Sequence, residues 1–217
     1  WKPGFYSLFI LSDALWWQYF LFFTAIVFSL FFILGYFTRF STLIVWVLVC
    51  SVHVRNPYLL QGGDELLRIT LFWCLFLPVG KRYSVDAVQA KEEIQQRGVF
   101  SAASVGFMLL VFSVYFFSAL LKSSSEWQSD GTAIYYALSL DQMVLPPGKV
   151  LLKFPLLCKI LTHAVFWTEL LAPVLLFMPY RNRIFRTLAI VLIILMHIGI
   201  GLTLFVGLFY LIGITTA

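Results

Sequence analysis

Charge is what this sequence has least of. Asp, Glu, Lys and Arg make up 12% of its 217 residues, while 61% are hydrophobic and the mean hydropathy is +0.93. Ordinary globular chains carry about 25% charged residues, and a soluble domain of this length cannot hide so much apolar surface. Lipid is therefore the expected solvent for most of the chain. Cysteine is also scarce. Cys50, Cys74 and Cys158 each lie in or beside an apolar run, and none forms a CxxC pair. They read as small buried hydrophobes, with no disulfide framework and no metal site. HExxH, clustered acidic pairs and GxxxxGK are missing as well, so neither a metal centre nor a phosphate cradle is expected. The formal charge of +5 is spread over connectors rather than gathered in a stripe between aromatics. Nucleic acid is therefore not an expected partner. No internal repeat, low-complexity tract or linker divides the sequence, and a single membrane domain over 1–217 is expected. The sequence opens at Trp1 without a methionine and is expected to be part of a longer chain.

Long apolar runs are what is present. A helix needs about 20 apolar residues to cross a bilayer, and its backbone must satisfy itself within the segment. The runs are continuous and too long for alternating barrel strands. The fold class is accordingly all-α, a polytopic transmembrane helical bundle of about six spans. These are placed at 14–36, 42–54, 66–77, 99–121, 156–178 and 187–208, after an aromatic lead-in over 1–12. Pro3 and Gly4 oppose a helix start before Phe5, Ser12 or Asp13 caps the first span, and Asp64 caps the third. Arg68 is then available to Asp64 at i,i+4. The hydrophilic stretch 81–96 is expected to be a short amphipathic helix on the membrane surface. Connector 122–155 is too long to be structureless, so it is packed or functional, with a short helix over 132–140. Residues 204–214 either extend the last span or begin another segment.

Six spans place connectors one, three and five on one side. They hold Arg39; Lys81, Arg82, Lys91 and Arg97; and Arg181, Arg183 and Arg186. The positive-inside rule makes that side cytoplasmic and puts the Lys122 loop on the opposite face. The expected location is a bacterial cytoplasmic membrane.

Ionisable groups inside apolar spans are costly and usually face an interior. Here they are His53, Arg68, His163, Glu169 and His197. His163 and Glu169 are six residues apart, about 240° around a helix, so they do not share a face. Glu169 stands one turn before Pro173, which frees a backbone carbonyl, and a structural hydrogen bond is its expected role. His197 is expected to be a hydrogen-bonded packing residue, beside Gly199 and Gly201, which permit close approach of a helix or ligand. Lys122 ends a long apolar helix. Such a lysine ordinarily snorkels to the interface or meets the negative C-terminal end of its helix, and Glu126 is a possible partner.

Five stretches, taken in order, carry a family resemblance: LGYFTRFS (34–41), RNPYLLQGGD (55–64), FLPVGKRYSVD (76–86), YFFSALLK (115–122) and WQSDGTAIYYAL (127–138). Together they resemble the HTTM family, the horizontally transferred transmembrane domain shared by vitamin K-dependent gamma-carboxylases and many bacterial proteins. Lys122 matches the lysine proposed there as the base, while Ala119 stands where the pattern has glycine. The resemblance implies a reaction on a reduced vitamin K or another quinone. Deprotonation and oxygenation give a strong alkoxide base, which takes a γ-proton from a protein glutamate so that the carbanion captures CO₂. Lys122 would be the base, with His163, Glu169 and His197 in support. The first step needs a neutral amine, which an apolar pocket favours. Beside this enzyme stand two other readings. One is a non-catalytic subunit of a larger membrane complex, for which 23 phenylalanines offer a packing surface towards other membrane subunits as well as the lipid bilayer. The other is a transporter, which would want paired broken helices. In the non-catalytic reading no cofactor is required.

Overall fold

The protein, seen as a computed structural model, is described over residues 6–90 and 101–217. Every regular element among these residues is helical, with one isolated bridge between Val144 and Leu204. The chain divides into two compact units, Trp1–Phe107 and Met108–Ala217. Residues 1–5 and 91–100 lie outside the described residues. With them go the expected Pro3–Gly4 break, the second half of the surface helix with Lys91, and Arg97.

The first unit holds α1 (Leu15–Leu34), α2 (Thr38–Arg55), α3 (Gly62–Cys74), α4 (Val85–Ala90) and the start of α5 (Ala102–Leu121). The lead-in folds back on α1 and α2. Trp17 Nε1 donates to the Leu8 carbonyl at 2.9 Å, and Ser7 Oγ donates to the Ser51 carbonyl at 2.6 Å. Phe9, Leu21 and Leu48 close a small core there. α1 ends at Gly35, whose φ of 66° is left-handed, and its amide closes back on Phe32 O at 3.1 Å. A side chain here would be strained and would also strike Ser84, since a Cβ would lie 2.2 Å from Ser84 Cβ.

α2 begins four residues before its expected start. Asp86 reaches back across 48 residues to accept from the Phe37 amide at 2.9 Å, the Thr38 amide at 2.8 Å and Thr38 Oγ1 at 2.7 Å. A carboxylate on a helix N-terminus satisfies orphan amides and complements the dipole. α3 also begins early, because Gln61 and Asp64 form a reciprocal capping box. Asp64 is therefore an interior member of the cap rather than the cap residue. Arg68 pairs with Glu65 at i,i+3, not with Asp64, which instead lies 3.8 Å from His53 Nε2.

α3 is the one expected span that falls short. Its 13 residues rise about 20 Å, against a hydrocarbon core of about 30 Å. The chain from Gly62 to Lys81 nonetheless follows α2 from end to end. Asp64 meets His53 near one end, Trp46 Nε1 donates to the Arg68 carbonyl at 3.1 Å in the middle, and the turn Val79–Lys81 reaches Thr38 at the other. Among the described residues five helices are long and apolar enough to cross a membrane: α1, α2, α5, α9 (Pro155–Leu176) and α10 (Asn182–Thr203). Apolar side chains such as Tyr19 and Ile33 of α1 stand more than two-thirds exposed. A surface of that kind suits lipid and not water, and the chain is a membrane protein.

In the second unit the connector after α5 is packed. It forms α6 (Ser125–Gln128), α7 (Ala133–Leu138) and α8 (Pro146–Leu151), and all three contact α9. Leu138, Val144 and Cys158 make its core, and full burial of a leucine is worth about 2 kcal/mol. Cys158 fills space there, as expected of a small hydrophobe. α9 runs through Pro173 without ending, and Arg186 Nε donates to the carbonyl of Leu176 at its C-terminus, 3.1 Å away. α10 stops at Thr203, short of the expected 208, and its end is tied to the connector. Leu145 N donates to Thr203 O at 2.9 Å and Phe205 N to Met143 O at 2.7 Å, which satisfies backbone groups that a helix break would orphan. Residues 204–214 thus begin a new segment, α11 (Phe209–Thr216), which packs against α10.

Candidate functional site

The site grows from one stripe of α5. Val111, Tyr115, Ser118, Ala119 and Lys122 recur at helical spacing, so they share a face. Val111, Tyr115 and Ala119 are buried. α9 runs antiparallel to α5: the rings of Phe112 and Phe177 meet at 5.7 Å beside the C-terminal end of α9, and Ser118 and Lys122, at the end of α5, meet Glu169 about two turns earlier in α9.

Lys122 Nζ donates to the Glu169 carboxylate and to Ser118 Oγ at 2.8 Å. Ser118 Oγ in turn donates to Glu169 Oε2 at 3.0 Å. Three polar groups from two helices thus close a triangle. The indole of Trp127, on α6, covers the ammonium at 5.0 Å from its ring centre, a cation–π contact. The Lys122 and Glu169 side chains are 16% and 11% exposed. Glu169 is the fifteenth of the 22 residues of α9, about 21 Å along that helix from its start. The lysine therefore turns inward to the middle of a neighbouring helix instead of snorkelling, and its partner is Glu169 rather than Glu126. Glu126 is half-buried in the connector, where the Ser124 hydroxyl holds its carboxyl below the usual glutamate range.

Pro173 has no amide to give, so the Glu169 carbonyl four residues earlier lacks its helical donor. The Glu169 side chain makes its hydrogen bonds across to α5, not within its own helix.

His163 lies elsewhere. It faces Gly131, where an added Cβ would come within 2.8 Å of Nε2, while Glu169 of the same helix faces Lys122. His197 borders the triangle through Tyr115 of the same stripe, but its hydrogen bond runs to its own helix. It is 2% exposed, its Nδ1 lies 3.0 Å from the Ile193 carbonyl, and its ring packs between Tyr115 and Phe209 at 5.8 and 5.7 Å. The carbonyl can only accept, so Nδ1 carries the proton and Nε2 is left as the acceptor. Gly213 of α11 lies directly against the ring, and a Cβ there would be 2.0 Å from Nε2. Of the two glycines beside His197, Gly201 is packed by Tyr210 while Gly199 has nothing within 4 Å of an added Cβ. Of the four residues singled out by sequence, Lys122 and Glu169 are hydrogen-bonded to each other, His197 packs on Tyr115 of the same stripe, and His163 faces Gly131. Ser118, four residues before Lys122, is the member that sequence reasoning missed, and the i,i+4 spacing is the signal that could have found it.

Among the described residues no group of three or more His, Cys, Asp or Glu side chains could hold a metal ion. The triangle can hold a proton between an amine, a hydroxyl and a carboxylate, and it can clamp α5 to α9. Comparison with known proteins adds no identity: no family model, curated protein or solved structure matches the chain.

Proposed function

We propose that this chain is an integral membrane component that resembles the gamma-carboxylase transmembrane domain but acts without catalysis, with Lys122, Ser118 and Glu169 clamping two spans together. The observation that carries the reading is the engagement of Lys122. Its ammonium donates to Glu169 and Ser118 beneath the Trp127 ring, whereas a base needs a free lone pair aimed at its substrate. No cofactor is needed for this role. Its partners are the bilayer and other membrane subunits, for which the aromatic face of α1, with Trp16, Tyr19 and Phe23 exposed, offers a surface.

The proposed location is a bacterial cytoplasmic membrane with the Arg39, 81–97 and 181–186 connectors inside and the Lys122 loop opposite. The bonds from Asp86 to Phe37 and Thr38 support one part of that arrangement, because they put the Arg39 turn and the start of the 81–97 connector at the same end of α2.

A second reading keeps Lys122 as the base of a quinol-dependent carboxylase. It is favoured by Glu169 itself. A carboxylate in contact with an ammonium can accept its proton, leaving a neutral amine beside a neutral acid. The two readings separate in one assay. Purified protein in detergent receives a reduced naphthoquinone, oxygen and labelled bicarbonate, with and without a glutamate-containing peptide, and epoxide is followed beside a Lys122→Ala control. The clamp reading expects no epoxide from either protein. Epoxide that disappears in the variant would establish the base.

A further inference from the structure

A cavity of about 420 Å³ opens where α1 hands over to α2. Its wall includes Phe37, Arg39, Phe40, Val79, Lys81 and Asp86. The size lies within the ordinary range for small-molecule sites, about 300–1,000 Å³. Two cations face it, and neither Arg39 nor Lys81 has a carboxylate partner among the described residues. The one acidic group present is already committed. Asp86 accepts from two backbone amides and a hydroxyl at the start of α2. Two cations against one carboxylate therefore leave the cavity with a net positive charge.

Its position matters as much as its charge. α1 and α2, both of spanning length, end and begin within four residues of each other here. The cavity thus lies at the level where hydrocarbon gives way to head groups. Its rim is apolar, for Phe37, Phe40 and Val79 stand 61%, 56% and 40% exposed. A free anion would use the cations and leave those side chains uncovered. A lipid satisfies both, with phosphate on the basic pair and the glycerol and upper acyl chain along the rings. From this combination we infer that the cavity binds the phosphate-bearing head group of an anionic membrane phospholipid. Basic pockets at the membrane surface commonly recognise such groups.

The test is lipid retention by native mass spectrometry of the whole protein, released from micelles doped with phosphatidylglycerol or phosphatidylcholine. The wild-type protein is expected to retain phosphatidylglycerol preferentially. Each basic side chain near an anionic surface contributes about a fivefold preference, so R39Q/K81Q is expected to lose about twentyfold. R39K/K81R, which keeps the charges, is expected to retain the preference. So is K149Q/K153Q, which removes the same charge from an exposed stretch at α8. Excess inorganic phosphate should leave the lipid in place. Equal retention of both lipids, an equal loss in K149Q/K153Q, a loss that persists in R39K/K81R, or displacement by inorganic phosphate would each overturn the assignment.

Discussion

Replacing Lys122 with methionine removes the ammonium and leaves the Glu169 carboxylate with Ser118 Oγ as its remaining side-chain partner in the triangle. Breaking one side of a buried ion pair costs about 3–5 kcal/mol, because a charge is left uncompensated. At 16% and 11% exposure some water reaches both groups, so the lower end, about 3 kcal/mol, is expected for K122M and again for E169L. The double variant K122M/E169L removes both charges and fills similar volume, and such replacements are often neutral or stabilising. With a neutral double variant the cycle should therefore show a coupling of about 6 kcal/mol, above the roughly 3 kcal/mol that usually bounds contacting residues. The assay is thermal unfolding in a single detergent, where about 3 kcal/mol corresponds to a fall of roughly 6–12 °C for a chain of this size. Single variants within about 0.5 kcal/mol of wild type would class the pair with surface ion pairs. Additive losses in the double variant would likewise refute the clamp.

Two further outcomes follow from the same packing. Asp86→Ala should cost about 1–2 kcal/mol, the usual loss of a helix cap, read as a lower unfolding midpoint. Thr38 hydrogen bonds, from amide and then hydroxyl, hold the Asp86 carboxyl below the usual aspartate range. Its contribution is therefore present above the unfolded value near pH 4 and is lost as pH falls through the lower folded value. The gap between wild type and D86A should stay constant from about pH 8 to 5 and close only in stronger acid; a gap that closes near neutrality would remove the cap from the account. Gly213→Ala would push a methyl to 2.0 Å from the His197 ring, which is 2% exposed and has nowhere to go. Overpacking of this kind costs about 1–3 kcal/mol, and an unperturbed midpoint in G213A would mean that α11 does not lie against α10 as described.

Helix class and the rough placement of the long spans were legible in the sequence because burial in lipid demands continuous apolar runs. What the sequence hid was tertiary. α2 starts at Thr38 because a carboxylate 48 residues away caps it, and no local residue signals that. The onset of α3 depended on whether Asp64 was the cap or lay inside it; that shift of register moved Arg68 from Asp64 to Glu65. α3 itself falls short because its apolar run stops at Pro78, ahead of Lys81 and Arg82, and the helix already ends at Cys74. At the site, Lys122 and Glu169 were both visible as costly groups in apolar surroundings, but a spacing of 47 residues carries no information on pairing. The nearer candidate, Glu126, sits one turn beyond the helix end, and the chain turns it away to Ser124.

The most direct test of the clamp is the ionisation of Glu169. Infrared difference spectra of wild type and E169Q, recorded at neutral pH in the membrane-reconstituted protein, isolate the absorption of that one side chain. The account predicts a carboxylate band that E169Q removes and that shifts in K122M, as the partner of an ammonium must. A protonated-acid carbonyl band in the wild-type protein, unchanged by K122M, would contradict it.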